Sequence, residues 1–169
     1  MKKILFILFV LCCSFTYPDN FCKMMKYILR FEGGFTTIDP GGTNFGIMQC
    51  NYDTYRINHK LKKQSVEYIT MDEVYDCYYN TYYLRCGADT LPPALAFVHY
   101  DTAINCGIGQ AHKFVSKVNA LTYKQNALRY VELRDQLYKW LAANKDKKRF
   151  LDGWLNRDKQ IRLILMTDF

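Results

Sequence analysis

Glu32-Gly33-Gly34-Phe35-Thr36-Thr37-Ile38-Asp39-Pro40-Gly41-Gly42-Thr43-Asn44-Phe45-Gly46-Ile47 is the stretch on which the fold turns. Before it, Met24, Ile28, Leu29 and Phe31 recur at helical spacing, and Asp19 or Asn20 stands where a helix would be capped. Gly33-Gly34 ends that helix directly after Glu32. From there to about Gln49 the chain is rich in Gly, Thr, Asp, Pro and Asn, too broken for a helix. It predicts a short irregular β-hairpin with turns at Asp39-Pro40-Gly41-Gly42.

Beyond this stretch the pattern is helical. Residues around 50–69 are mixed and polar, with room for one short helix. Thr70-Met71-Asp72-Glu73 is a capping box that opens a helix carrying Val74, Tyr78 and Tyr82. Pro92-Pro93 starts another, with Leu95, Val98, Thr102 and Ala103 as its apolar stripe and Gly107 at its end. Ala111 to Val118 reads as a further helix. Thr122 with Gln125 caps the next, whose apolar set is Leu128, Val131, Leu133, Leu137, Trp140 and Leu141; a last one begins near Phe150. The expected fold class is mainly α, a helical bundle with a small N-terminal β-hairpin lobe. No linker divides residues 20–160, so one domain is expected.

The chain has 169 residues, half of them hydrophobic, which suits one globular domain with a full core and excludes a disordered or fibrous chain. Tyr is abundant, at 14, and its polar-tipped ring suits either a half-wet, hydroxyl-binding groove or a core in which Tyr stands in for Phe and Leu. The net charge of +7 draws polyanions, but no cluster is dense enough for a nucleic-acid footprint, so no nucleic-acid partner is expected. Met1-Lys2-Lys3, an apolar run from Ile4 to Cys13, and then Ser14-Phe15-Thr16 describe a signal peptide or uncleaved export segment over 1–16. That predicts an exported, periplasmic or secreted protein, transiently held at the membrane by this segment. Five cysteines follow the segment, an odd number that allows one or two disulfides and leaves a thiol over.

Glycosidase chemistry needs one carboxylic acid to protonate the departing sugar oxygen, and a second carboxylate or polar group that stabilises the cation or holds water. Glu32 sits at the end of an apolar helix, and Gly33 and Gly34 let backbone and substrate approach closely. Asp39 is the natural second group, although Asp before Pro-Gly-Gly also forms turns unaided. Thr43 and Asn44 either hold water or an N-acetyl group, or cap turns. No P-loop, dinucleotide glycine pattern, His-Glu-x-x-His or Cys-x-x-Cys motif occurs, so no metal or cofactor is expected.

These residues closely resemble the signature of the family 108 glycoside hydrolases, N-acetylmuramidases with a Glu-Gly-Gly-Tyr motif. The resemblance continues in Tyr78-x-x-x-Tyr82-Tyr83, in Leu91-Pro92 with Tyr100-Asp101-Thr102-Ala103-Ile104-Asn105-Cys106-Gly107, and in Gly153-Trp154-x-x-Arg157, which matches the end of the family's peptidoglycan-binding segment. The chain departs from the pattern at Phe35 and Tyr83, where Tyr and Trp are usual, and in a shorter Glu32–Asp39 interval. The resemblance implies a lysozyme-like α+β fold, with a catalytic half over about 20–85 and a peptidoglycan-binding half over about 91–160. It implies bacterial peptidoglycan as partner, a monomer, Glu32 as general acid, and Asp39 and Thr43 as its companions. Gly33, Gly34, Asn44, Tyr82, Tyr83, Asp101 and Asn105 are the expected substrate contacts, although buried hydrogen bonding is the simpler role for Asp101 and Asn105. A lytic transglycosylase using the same Glu, and a non-catalytic wall-binding or phage structural module, are the rival readings.

Overall fold

The computed structural model describes residues 16–118 and 122–169. The expected export segment, with Cys12 and Cys13, lies outside the described residues except for Thr16. Among the described residues no helix is long and apolar enough to cross a membrane.

Helix α1 spans Asp19–Phe31 and buries Phe21, Met24, Met25 and Ile28, one face at three- and four-residue spacing. No side chain caps its start, so the Asp19 or Asn20 cap expected from sequence is not made; Pro18 stands there instead. Glu32 follows with extended backbone and breaks the helix. The hairpin is smaller than the glycine-rich stretch suggests. Strands β1 (Thr43–Asn44) and β2 (Ile47–Met48) pair antiparallel around a turn at Phe45-Gly46, and a bridge ties Thr36 to Thr43 across the Asp39–Gly42 turn. Helix α2 (Gln49–Asn58) continues directly from β2.

Both capping boxes form. Thr70 and Glu73 start α3 (Met71–Tyr78), and Thr122 and Gln125 start α6 (Tyr123–Asn144). After α3 the chain widens into a π-turn over Tyr79–Tyr83. Helix α4 (Pro93–Cys106) is buried on every side from Ala94 to Ala103, which makes it the axis of the bundle. Helix α5 spans Ile108–Val115, three residues earlier than the apolar pattern suggests, because Gly107 both ends α4 and opens α5.

In α6 the buried face is Ala127, Tyr130, Val131, Arg134 and Tyr138. Trp140, expected on the apolar face, is 51 % exposed. Helix α7 (Leu151–Thr167) packs along α6 and stacks Trp154 on Tyr138, with ring centroids 4.9 Å apart. The result is the expected mainly α, lysozyme-like architecture. Cys22, Cys50, Cys77, Cys86 and Cys106 all stay unbridged, so the disulfides that their number allowed are not made.

Candidate active site

Glu32 stands where α1, the hairpin and α7 meet. The hairpin folds back over it: the Phe45 N–H donates to the Gly33 carbonyl at 3.1 Å. This places Gly46 directly against the acid. A Cβ on Gly46 would lie 2.6 Å from Glu32 Oε2 and 2.7 Å from the Tyr78 hydroxyl, and its φ of +74° is in the left-handed region as well. Glycine is required there twice over. Nothing approaches a Cβ on Gly33 or Gly34, so those two glycines leave open space beside Glu32.

The two oxygens of Glu32 have different surroundings. Oε1 accepts from both Nη1 and Nη2 of Arg157, each at 3.2 Å. Oε2 faces Gly46 and Tyr78, and it accepts no hydrogen bond among the described residues. Tyr78 does not supply one, because its hydroxyl donates to the Phe45 carbonyl at 2.8 Å. Burial first, and then the Glu32 carboxylate, push the Tyr78 and Tyr82 hydroxyls up, so both stay neutral.

Behind Glu32 runs a line of alternating charges. Arg157 donates through Nε and Nη2 to Asp101 Oδ1 at 3.1 and 2.7 Å. Asp101 takes Arg134 on its other oxygen at 2.6 Å, and Arg134 reaches Asp158 at 2.5 Å. The side chains of Asp101 and Arg134 are fully buried. Burial alone would push Asp101 up, but Arg157 and Arg134 together hold it below the usual carboxylate range. Asp158 goes the other way: burial, reinforced by the neighbouring Asp135, outweighs Arg134 and pushes it up to about 7.

Two clefts of about 500 Å³ each flank the acid. The first lies between α2 and the α3/π-turn segment, with Gly46, Asn51, Tyr78, Tyr82 and Arg85 in its wall. The second lies between α1 and α7, with Tyr27, Phe31, Asn105, Trp154 and Arg157 in its wall. Glu32 touches wall residues of both, Gly46 and Tyr78 on one side and Arg157 on the other. Glu32 itself is in the wall of neither.

The other expected site residues divide. Tyr82 lines the first cleft, and Asn105 the second. Tyr83 does not face a groove: it is 3 % exposed, stacks on Tyr79 at 5.5 Å and meets Phe21 and Tyr100 edge-on. The π-turn, wider than an α-turn, swings its ring into the core. Asp101 is likewise buried, in the ion pairs above. Asn44 donates to the Val66 and Glu67 carbonyls at 3.2 and 3.1 Å and thus pins the hairpin to the following turn. Asp39 accepts from the Thr43 hydroxyl at 2.7 Å. Along the lobe, the Gly33–Phe45 contact lies nearest Glu32, the Thr36–Thr43 pair next, and Asp39 in the turn beyond. Gly46, Tyr78 and Arg134 were missed as parts of the site. Gly46 was legible only as a turn glycine, and a lone Arg on a helix gives no sign of burial.

Comparison with known proteins places this geometry. No curated protein matches the chain. A solved structure of SagA from Brucella abortus superposes with a TM-score of 0.65 at 26 % identity, covering 86 % of this chain and 93 % of that one. The model of the family described as glycosyl hydrolase 108 matches residues 25–107, the segment that contains Glu32, the hairpin and Tyr78. Residues 25–107 therefore form a glycosyl hydrolase 108 domain, the domain of a glycoside hydrolase.

Proposed function

We propose that the protein is an exported N-acetylmuramidase that hydrolyses the bond between N-acetylmuramic acid and N-acetylglucosamine in bacterial peptidoglycan, with Glu32 as general acid. The observation that carries this reading is the contact of Glu32 with wall residues of both clefts, with Oε1 fixed by Arg157 and Oε2 without a donor among the described residues. Oε2 is then the atom that delivers a proton to the departing N-acetylglucosamine oxygen as the bond to the muramic C1 breaks. The cation-like C1 is met by water held at the Thr43 hydroxyl, which is itself oriented by donating to Asp39. The water's oxygen bonds to C1 as its surplus proton passes to Asp39, which leaves a reducing muramic end. Residues 20–85 carry the chemistry, and residues 91–160 support the acid and extend the wall-binding surface.

Glu32→Gln keeps the shape and removes the proton. Turnover should fall about 10²- to 10⁴-fold, with the melting temperature little changed. Mass spectrometry of digested peptidoglycan should show reducing muramic ends. Products with 1,6-anhydro ends would replace hydrolysis with transglycosylation by the same acid. Wall binding without any clearing by the wild type would leave a binding module.

A further inference from the structure

Arg157 lies well beyond residue 107, where the family match ends, yet it is the residue that grips Glu32. Its guanidinium is held on three sides. The ring of Phe31 lies beneath it, 4.5 Å from the guanidinium carbon to the ring centroid. Asp101 takes Nε and Nη2 along one edge, and Glu32 takes Nη1 and Nη2 along the other. The contacts to Asp101 reach down to 2.7 Å, whereas both contacts to Glu32 are 3.2 Å, so the cation is bound more closely to Asp101. Asp101 is in turn anchored from behind by the fully buried Arg134.

This arrangement solves a problem specific to the site. Glu32 follows the last turn of α1 and precedes two glycines with empty space around them, so the local backbone does little to orient its carboxyl. The planar guanidinium orients it through two donors, and the closer contact to Asp101 fixes the guanidinium itself. We infer that Arg157 is a positioning residue that fixes the Glu32 carboxyl through Oε1 and leaves Oε2 to the substrate, with Asp101 setting how firmly it holds. The inference rests on the reading of Glu32 as the acid.

The test is steady-state kinetics of Arg157→Ala and Arg157→Lys on soluble peptidoglycan fragments, normalised to folded protein and run beside Glu32→Gln. Arg157→Ala should lose about 100-fold in kcat, the scale of a small misplacement of a reacting group, with KM nearly unchanged. Arg157→Lys should lose about 10- to 100-fold as well, because an ammonium keeps the charge but not the planar fork. Guanidinium ion, at concentrations that leave the melting temperature unchanged, should restore part of the turnover of Arg157→Ala, and ammonium should not.

A purely structural role predicts less folded protein with unchanged kcat in what remains and no rescue by guanidinium, and that outcome overturns the inference. A loss confined to KM overturns it too and makes Arg157 a substrate contact. Should Arg157→Ala fail to fold, full turnover in Arg157→Lys is the overturning result. The two readings fail separately: an active Glu32→Gln sinks the acid assignment itself, whereas an inactive Glu32→Gln beside a fully active Arg157→Lys sinks only the role of Arg157.

Discussion

The lobe that presents Glu32 and the helices that back it are built on opposite principles. From Gly33 to Met48 the chain has two two-residue strands, little buried surface and glycines with open space beside them. Across the carboxyl, α4, α6 and α7 enclose Asp101, Arg134 and Asp158 out of water. The first region is open enough for a sugar chain to reach the acid. The second is stiff enough to keep the acid from wandering once reached. On the proposed mechanism the segment that the family model matches supplies the reacting group, and much of its aim comes from residues outside that match.

The sharpest way to break this contrast is Arg134→Ala. It leaves Asp101 and Asp158 buried without their shared cation, so denaturant unfolding should show a loss of about 3–5 kcal/mol, as for other buried pairs broken on one side. Next comes Gly46→Ala, on the open side. Its Cβ would displace Glu32 Oε2 or Tyr78, so turnover should fall about 100-fold, with only about 1 kcal/mol of stability lost to the positive φ. A smaller effect separates the two regions by pH. Asp158 is pushed up to about 7 in the folded protein, against an ordinary 3.8. The folded state therefore keeps a proton that the unfolded chain has released, and this contribution is full below pH 4 and lost as pH rises through 7. Plotted as the difference from Asp158→Asn, melting temperature should decline across that window; a flat difference would rule the contribution out. Asp101, held low, contributes with the opposite sign and only below its usual range, so the two do not overlap. The smallest effect is Thr122→Ala, which removes the cap of α6 far from the carboxyl. It should cost about 1 kcal/mol in thermal or urea unfolding and leave kcat unchanged.

Legibility followed the same divide. The end of α1 at Glu32, the broken stretch after it and both capping boxes were readable because each depends on neighbours within a few residues. The place of Glu32 at that helix end was readable for the same reason. What failed depended on distant partners. Nothing beside Arg134 announces its burial, because its two carboxylates lie 33 and 24 residues away in the chain. Tyr83 looked like a sugar platform because nothing in Tyr82-Tyr83 announces a π-turn. On α6, Val131 is buried and Leu128, Leu133 and Leu137 pack against the core as expected, but Trp140 is exposed and the most buried positions also hold Tyr and Arg.

The contact between Glu32 and Arg157 joins residues 125 apart in the chain, with α2 to α6 between them. Contacts of that span close late, since the intervening chain must be ordered before they hold. As the chain leaves the ribosome, Glu32 is made 125 residues before its clamp, so a nascent product holds Glu32 without its partner. On the role inferred for Arg157, full activity arrives only when α7 docks.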